Sequence, residues 1–563
     1  MRNAFLDISI IVAFILLGII VRLSSTVAHG NVRNISPPAV SGIRTSATQN
    51  GVVLADQQSG GDMGAKIVAA NAALGSAKGE IRVDSSGEIS EPVVLSENHD
   101  LVCTRNQVIL TMSTAKAKIT QQSNTVVRGC TLVSSQTSSP VGGGEIFSQG
   151  TSNVQVEDVT FEGGGYHIAY NTVSNFSIKN TRHLSVTVKG ASPIIIDSAT
   201  HGQINSLRIE GYTVPSGESG IRLVGINKSS FIDVDNPTIR DVDASTVPGC
   251  GGLTFTASHN GTVRGGVISG LKNCDGLLTE STDVAASTDI DISGTVSKGH
   301  NASPGRGRNA NNGEGFDIFN SKRVRLLGVT ASDNGKDPSN HQPGIEVSNS
   351  SEISISNSVV SDNGVEGIKV DGSPGVMISQ TRIDHNGGVG ILVMPALGSV
   401  SASAQSPIVG WVLGGANVTF SAVWPIPTKI FIGGGVYTIA SFQSTTRLTL
   451  ASDFAGATGQ YPYNVDSYVE ITGGESVDNG QLSAGLPPDR NAGQREGVYF
   501  AGGLSGQITG RVTRLHAADN QSRKTQTYGI RIENQARILA EGNSVAGNLV
   551  GGIQDSPRKS TIR

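Results

Sequence analysis

Three charged residues occupy the same place in successive copies of a short pattern, Gly-apolar-x-apolar. Asp317 is x in Gly315-Phe-Asp-Ile, Glu346 in Gly344-Ile-Glu-Val and Lys369 in Gly367-Ile-Lys-Val, with Asp371 two residues beyond the lysine. Stacked as strands about 4.8 Å apart, the two carboxylates would repel unless a shared proton, a cation such as Ca2+, or a lysine or arginine held them. Such a row suits proton transfer or the binding of a polar polymer. The plain alternative is a solvated face with a weak ion pair between rungs.

Long polar loops lead into the first two of these strands. One runs from His300 to Glu314 and carries Arg306 and Arg308; the other runs from Asn334 to Pro343 and carries His341. Loops of this length beside one patch of a regular stack are where a site is built. Arg306 and Arg308 suit a clamp on a carboxylated sugar. His300, His341 and Asp371 complete the candidate acid–base and substrate-contacting groups. Arg531 with Glu533, and His167, read as surface residues.

The elements that must position these groups follow from the repeat. The tetrad recurs at Gly220, Gly252, Gly315, Gly344, Gly367, Gly390, Gly497 and Gly529, with weaker copies at Gly276 and Gly552, and the steps from Gly344 to Gly367 to Gly390 are 23 residues each. After each copy comes an alternating strand and a turn, as in Ile353-Ser-Ile-Ser followed by Asp362-Asn-Gly. Alternation at period two puts one face inside and one outside. Repeats that cannot bury their own apolar face must stack. Position x then forms an outward row: Arg222, Thr254, Leu278, Asp317, Glu346, Lys369, Leu392, Tyr499, Arg531 and Gln554. Asn320, Asn349 and Asn534, each five residues after a repeat glycine, are expected to form a ladder of stacked amides.

Composition agrees with many short strands and tight turns. Gly numbers 72, aromatics make up 4% and charged residues 16% of the 563 residues. The net charge of −4 lacks the basic excess that a nucleic-acid partner would require. Between Gly390 and the Asp478-Asn-Gly turn the chain runs about 71 residues longer than in the preceding repeat. This insert holds Trp411 and Trp424 and reads as a small all-β module whose aromatics form its own core.

The four cysteines fall into pairs in step with the repeat. Cys250 and Cys274 each lie two residues before a tetrad glycine, and Cys103 and Cys130 each lie seven residues after a serine. Neighbouring rungs bring such positions within disulfide range; stacked free thiols are the alternative. At the N-terminus, Arg2, an apolar run from Ile8 to Val21 and small residues up to Ala28 resemble an export signal, with an uncleaved anchor as the other reading. The expected organisation is therefore 1–29 signal or anchor, 30–51 linker, 52–395 repeat region, 396–468 inserted module and 469–563 final rungs.

The stretch Gly61-Asp-Met-Gly-Ala-Lys-Ile-Val-Ala-Ala-Asn-Ala-Ala-Leu74 places Met63, Ile67, Ala70 and Leu74 on one helical face, with Asp62 as N-cap. With the tetrads, it resembles the pectate-lyase-like superfamily of bacterial exported proteins, from residue 52 to 563 apart from the insert. The resemblance implies a right-handed parallel β-helix, all-β, with that helix plugging the first coil. Asn311-Asn-Gly-Glu-Gly-Phe-Asp317-Ile looks like part of the aspartate-rich strand of the superfamily's calcium-using, lysine-base lyases. By that resemblance Glu314 and Asp317 are candidate Ca2+ ligands, joined by Glu346 from the outward row, and Lys369 is the base. Two departures stand out: Gly313-Glu314 replaces an aspartate pair, and Lys369 lies two rungs on rather than one. The Asp-Asp, Gly-His-Gly and Arg-Ile-Lys of polygalacturonase-type hydrolases are missing, as is the Asp-Pro-His of mannuronan epimerases.

The expectation is thus an exported enzyme that cleaves or epimerises an acidic extracellular polysaccharide beside a uronate. The rival is a non-catalytic, glycan-binding or structural rod. No nucleic acid is expected as partner, and the membrane only through the N-terminal segment. The last rung, with no obvious cap, suggests self-association or cover by the inserted module.

Overall fold

Each coil of the chain spends its residues on three short strands, and equivalent strands of successive coils pair in parallel. The result is three long sheets of 15, 17 and 13 strands that together make a right-handed parallel β-helix. This computed structural model describes residues 51–563 except 105–106, 137–143, 189–190, 212, 217–220, 248, 283–284, 302–312, 337–341, 412–419, 422, 426–427, 445, 466, 482–494, 502–507, 534–535 and 557–559. Among the described residues no helix is long and apolar enough to cross a membrane. The apolar N-terminal run and the linker lie outside them.

One coil shows the design. Ile345–Ser348 belongs to the 15-stranded sheet, Ile353–Ser356 to the 17-stranded sheet and Val359–Ser361 to the 13-stranded sheet. Ile345, Val347, Ile353, Ile355 and Val360 point inward and are buried, joining one continuous core that runs the length of the solenoid. Helix Met63–Leu74 closes its first coil. Asp62 caps the helix by accepting from the Ala65 amide at 2.7 Å, and Met63, Ile67 and Ala70 are buried.

The repeat glycines are required by space rather than by backbone conformation. A Cβ on Gly315, Gly344, Gly367 or Gly390 would strike the side-chain amide of an asparagine, Asn334, Asn363, Asn386 or Asn479 respectively, at 2.4–2.8 Å. Those asparagines form the amide ladder: Asn363 Nδ2 donates to Asn386 Oδ1 at 2.9 Å, and Asn386 Nδ2 to Asn479 Oδ1 at 3.0 Å. The ladder therefore runs through the Asn-Gly turns, not through Asn320 and Asn349. Those two adopt φ of +45° and +50° at strand ends, and their side-chain oxygens have no hydrogen-bond partner. Asn534 lies outside the described residues.

The insert is a closed antiparallel barrel of six strands, from Ala396–Ala402 to Gly459–Val465. Phe420, Trp424, Tyr437, Phe454 and Tyr463 fill its core, as expected for a module this small. It does not cover the last rung, where Leu549, Val550 and Ile562 remain exposed.

Cys103 pairs with Cys130 and Cys250 with Cys274, with Cα–Cα separations of 5.1 and 4.2 Å. Each disulfide staples two adjacent rungs and closes a loop of 27 or 24 residues. Replacing both Cys250 and Cys274 by serine should cost about 3 kcal/mol of stability, read as a lowered denaturant midpoint. An unchanged midpoint would mean that the pair is reduced in the working protein.

Candidate functional site

The outward row exists. Thr254, Leu278, Asp317, Glu346, Lys369, Leu392, Tyr499, Arg531 and Gln554 pair in one line across the 15-stranded sheet. Arg222 does not head it. Strand Ile221–Asn227 pairs Gly225 with Thr254 and Arg222 with Gly251, so Leu223 takes the coil position of the repeat glycine. The guanidinium of Arg222 instead grips Glu280, with Nη2 at 2.9 and 3.0 Å from its two carboxylate oxygens.

Asp317, Glu346 and Lys369 face out between inward-pointing Phe316, Ile318, Ile345, Val347, Ile368 and Val370. They are nonetheless sheltered. Glu346 is 7% exposed, and Asp317, Lys369 and Asp371 are half-buried. Lys369 Nζ donates to Glu346 Oε1 at 2.9 Å, and Ser348 Oγ donates to the same oxygen at 2.8 Å. Two buried acids complete the patch: Asp275, whose Oδ1 accepts from the Gly313 amide at 2.8 Å, and Glu314, which is hydrogen-bonded to Asp275.

This crowding sets the protonation states. Burial, followed by the charges of Glu314, Glu346 and Glu280, lifts Asp317 well above the usual carboxylate range. Burial and Asp275 lift Glu314 in the same way, while Asp275 is pushed up to about 7. Asp371 is raised to about 6 by burial, against the pull of Lys369. Burial alone would lower Lys369, but Glu346, Asp371 and Glu366 outweigh it and hold the ammonium form. The patch thus favours the neutral form of Asp317 and the charged form of Lys369, with Asp371 raised less far. Asp317 has no hydrogen bond to any described residue.

Sequence reasoning missed Asp275 and Glu280, and for Asp275 a signal was present. Asp275, Glu314, Glu366 and Glu496 each stand immediately before a repeat glycine, forming a second acidic row beside the first. Two expected contacts change place. His300 is fully buried inside a turn, where Nε2 meets Ser297 Oγ at 2.9 Å and its amide donates to Asn334 Oδ1 at 3.2 Å. It heads the amide ladder and does not face substrate. His167 is likewise interior, paired with His183 at 2.8 Å. Arg531 and Glu533 are half-buried rather than free at the surface: Arg531 binds Glu496 at 2.8 Å and lies over the Tyr499 ring. Arg306, Arg308 and His341 lie outside the described residues.

Glu314, Asp317 and Glu346, the expected calcium ligands, lie close enough together for their charges to interact. Glu346 is engaged by Lys369 and Ser348, and Glu314 by Asp275. Among the described residues no group of three or more His, Cys, Asp or Glu side chains is placed to hold a metal.

No protein-family model matches the chain, and no curated protein is detectably similar in sequence. Solved β-helix structures align with it. The A-module of a mannuronan C-5 epimerase from Azotobacter vinelandii aligns over 92% of this chain and 98% of its own, at 15% identity and a TM-score of 0.35. The tailspike of Escherichia coli bacteriophage HK620, solved with a pentasaccharide, aligns over 72% and 90%, at 11% identity and a TM-score of 0.40. Tailspike protein 3 of bacteriophage CBA120 aligns over 87% and 59%, at 8% identity and a TM-score of 0.37. With TM-scores below 0.5, these likenesses carry no weight for function, which rests on this chain's own residues.

Proposed function

We propose that the chain is an exported enzyme that cleaves an extracellular polysaccharide on the outer face of the 15-stranded sheet. Asp317 is the proton donor to the glycosidic oxygen, and Asp371 is the base that takes a proton from the attacking water. One observation carries this reading: Asp317 is a half-buried carboxyl, crowded by Glu314, Glu346 and Glu280 so that its neutral form is favoured, and engaged by no hydrogen bond among the described residues. Its proton is therefore available, as a general acid requires.

The charge on the lysine favours hydrolysis over elimination. Asp317 and Asp371 sit two rungs apart, with Asp371 also two residues further along its strand, so that a glycan can lie between them. A lysine base would require the neutral amine, which the carboxylates around Lys369 oppose. In this reading the lysine orients Glu346 and meets anionic substituents of the glycan. The aspartate pair of polygalacturonase-type hydrolases plays no part, since the acid and base here come from separate rungs.

A panel of acidic and neutral polysaccharides tests the proposal, assayed for new reducing ends and for ultraviolet-absorbing unsaturated uronates, with and without a chelator. The expected result is new reducing ends, no unsaturated product and no effect of the chelator. An unsaturated product would restore elimination. Chelator-sensitive cleavage would restore the cation site. No cleavage of any polymer would leave a glycan-binding or structural rod.

A further inference from the structure

The barrel leaves the solenoid after Met394 and rejoins it at Ser467, yet it bonds to rungs that precede its exit. Ser421 Oγ donates to the Asn349 carbonyl at 2.6 Å, Ser351 Oγ donates to the Val423 carbonyl at 2.6 Å, and Trp424 Nε1 donates to the Gly372 carbonyl at 3.0 Å. Asn349 and Gly372 directly follow Ser348 and Asp371, which are register partners in the sheet. The module is thus folded back against the edge of the acidic row.

The contacts are unlike those of a loosely tethered appendage. Trp424 is 4% exposed and is at once part of the barrel core and a donor to the solenoid backbone. Removing either the ring or its N–H disturbs both bodies. Tyr463, also in the barrel core, lies close enough to Asp371 for that carboxylate to add to the effect of burial in raising its hydroxyl. The wall also reaches the ion pair, because Ser348, at the anchored strand end, donates to Glu346, which holds Lys369.

We infer that the barrel is a positioning wall for the acidic row, with Trp424 and Ser421 fixing the strand ends that carry Asp371 and Ser348. The inference rests on the role given to Asp371 above. Among the described residues, the charged and titratable groups facing Asp371 are Lys369 and Glu346 from the sheet and Tyr463 from the barrel; Glu366 acts through Lys369.

Three measurements test it. In Trp424→Phe and Ser421→Ala proteins, hydrogen exchange should rise in the strands around 345–351 and 368–373 and stay unchanged in the N-terminal rungs. On a cleaved glycan, kcat should fall about tenfold to a hundredfold, with KM little changed and the acidic limb of the pH profile displaced. Faster exchange with wild-type kcat and pH profile would reduce the wall to a feature of the fold and overturn the inference, as would unchanged exchange. A readout that needs no substrate separates this from failure of the proposed activity. In a Trp411→Phe background, Trp424 emission should titrate near pH 6 with Asp371, and Asp371→Asn should abolish that transition. A transition that is absent, or that persists in Asp371→Asn, would also overturn the coupling.

Discussion

Asp317→Asn should lower the rate of glycan cleavage by about a thousandfold while leaving the protein at least as stable as the parent. The rate effect is that of removing a general acid, which typically contributes 10²- to 10⁴-fold. Asparagine keeps the shape and hydrogen-bonding capacity of a protonated carboxyl but has no proton to give. The stability expectation follows from crowding. Ionised Asp317 is opposed by burial and by Glu314, Glu346 and Glu280, so a neutral isostere relieves repulsion without emptying space. The pH profile gives an independent check. The base must be ionised, so the rate should fall as pH drops below about 6, the value to which Asp371 is raised. The acid must be protonated, so an alkaline limb should follow well above the ordinary carboxylate range. An Asp317→Asn protein that cleaves at the parental rate would remove Asp317 from the chemistry. A misfolded variant would be recognised by a lowered melting temperature.

Glu145→Gln should stabilise the protein increasingly as pH rises, by about 3–5 kcal/mol at pH 8.5 and negligibly at pH 4. Glu145 is buried far from the acidic row. One oxygen accepts from the Gly165 amide at 3.1 Å and the other has no partner. Burial raises its pKa from 4.5 to about 8. The sign follows from proton binding. The folded chain holds this proton more tightly than the unfolded chain, so its contribution is fully present below pH 4.5. It is lost as pH rises from there through about 8. Glutamine has no proton to lose and escapes that decline. Denaturant midpoints of the two proteins at pH 4, 6 and 8.5 would show the divergence; parallel curves would mean that water or a partner solvates this carboxyl.

The two residues differ in how visible they were. Asp317 stood out because it shared the tetrad position with Glu346 and Lys369, and a period fixed by glycine is as plain in letters as in coordinates. Glu145 belongs to no tetrad, and only packing shows that it is interior. His300 misled for a related reason. A histidine at the start of a long polar loop looks available, but the coil turns there, and the amide ladder needs a polar group at that point in the stack.

By itself the sequence determined the solenoid, its capping helix, the place of the insert, which cysteines are neighbours and the order of the outward row. All of these depend on local alternation and on a repeat length that each rung imposes on the next. The tertiary structure alone decided the protonation preferences of the acids, the recruitment of Glu280, the displacement of Arg222 from the row and the folding back of the barrel onto Asn349 and Gly372. Those features depend on burial and on contacts between residues up to 72 positions apart. Burial and long-range contact are properties of three-dimensional packing, and no local pattern of residues encodes them.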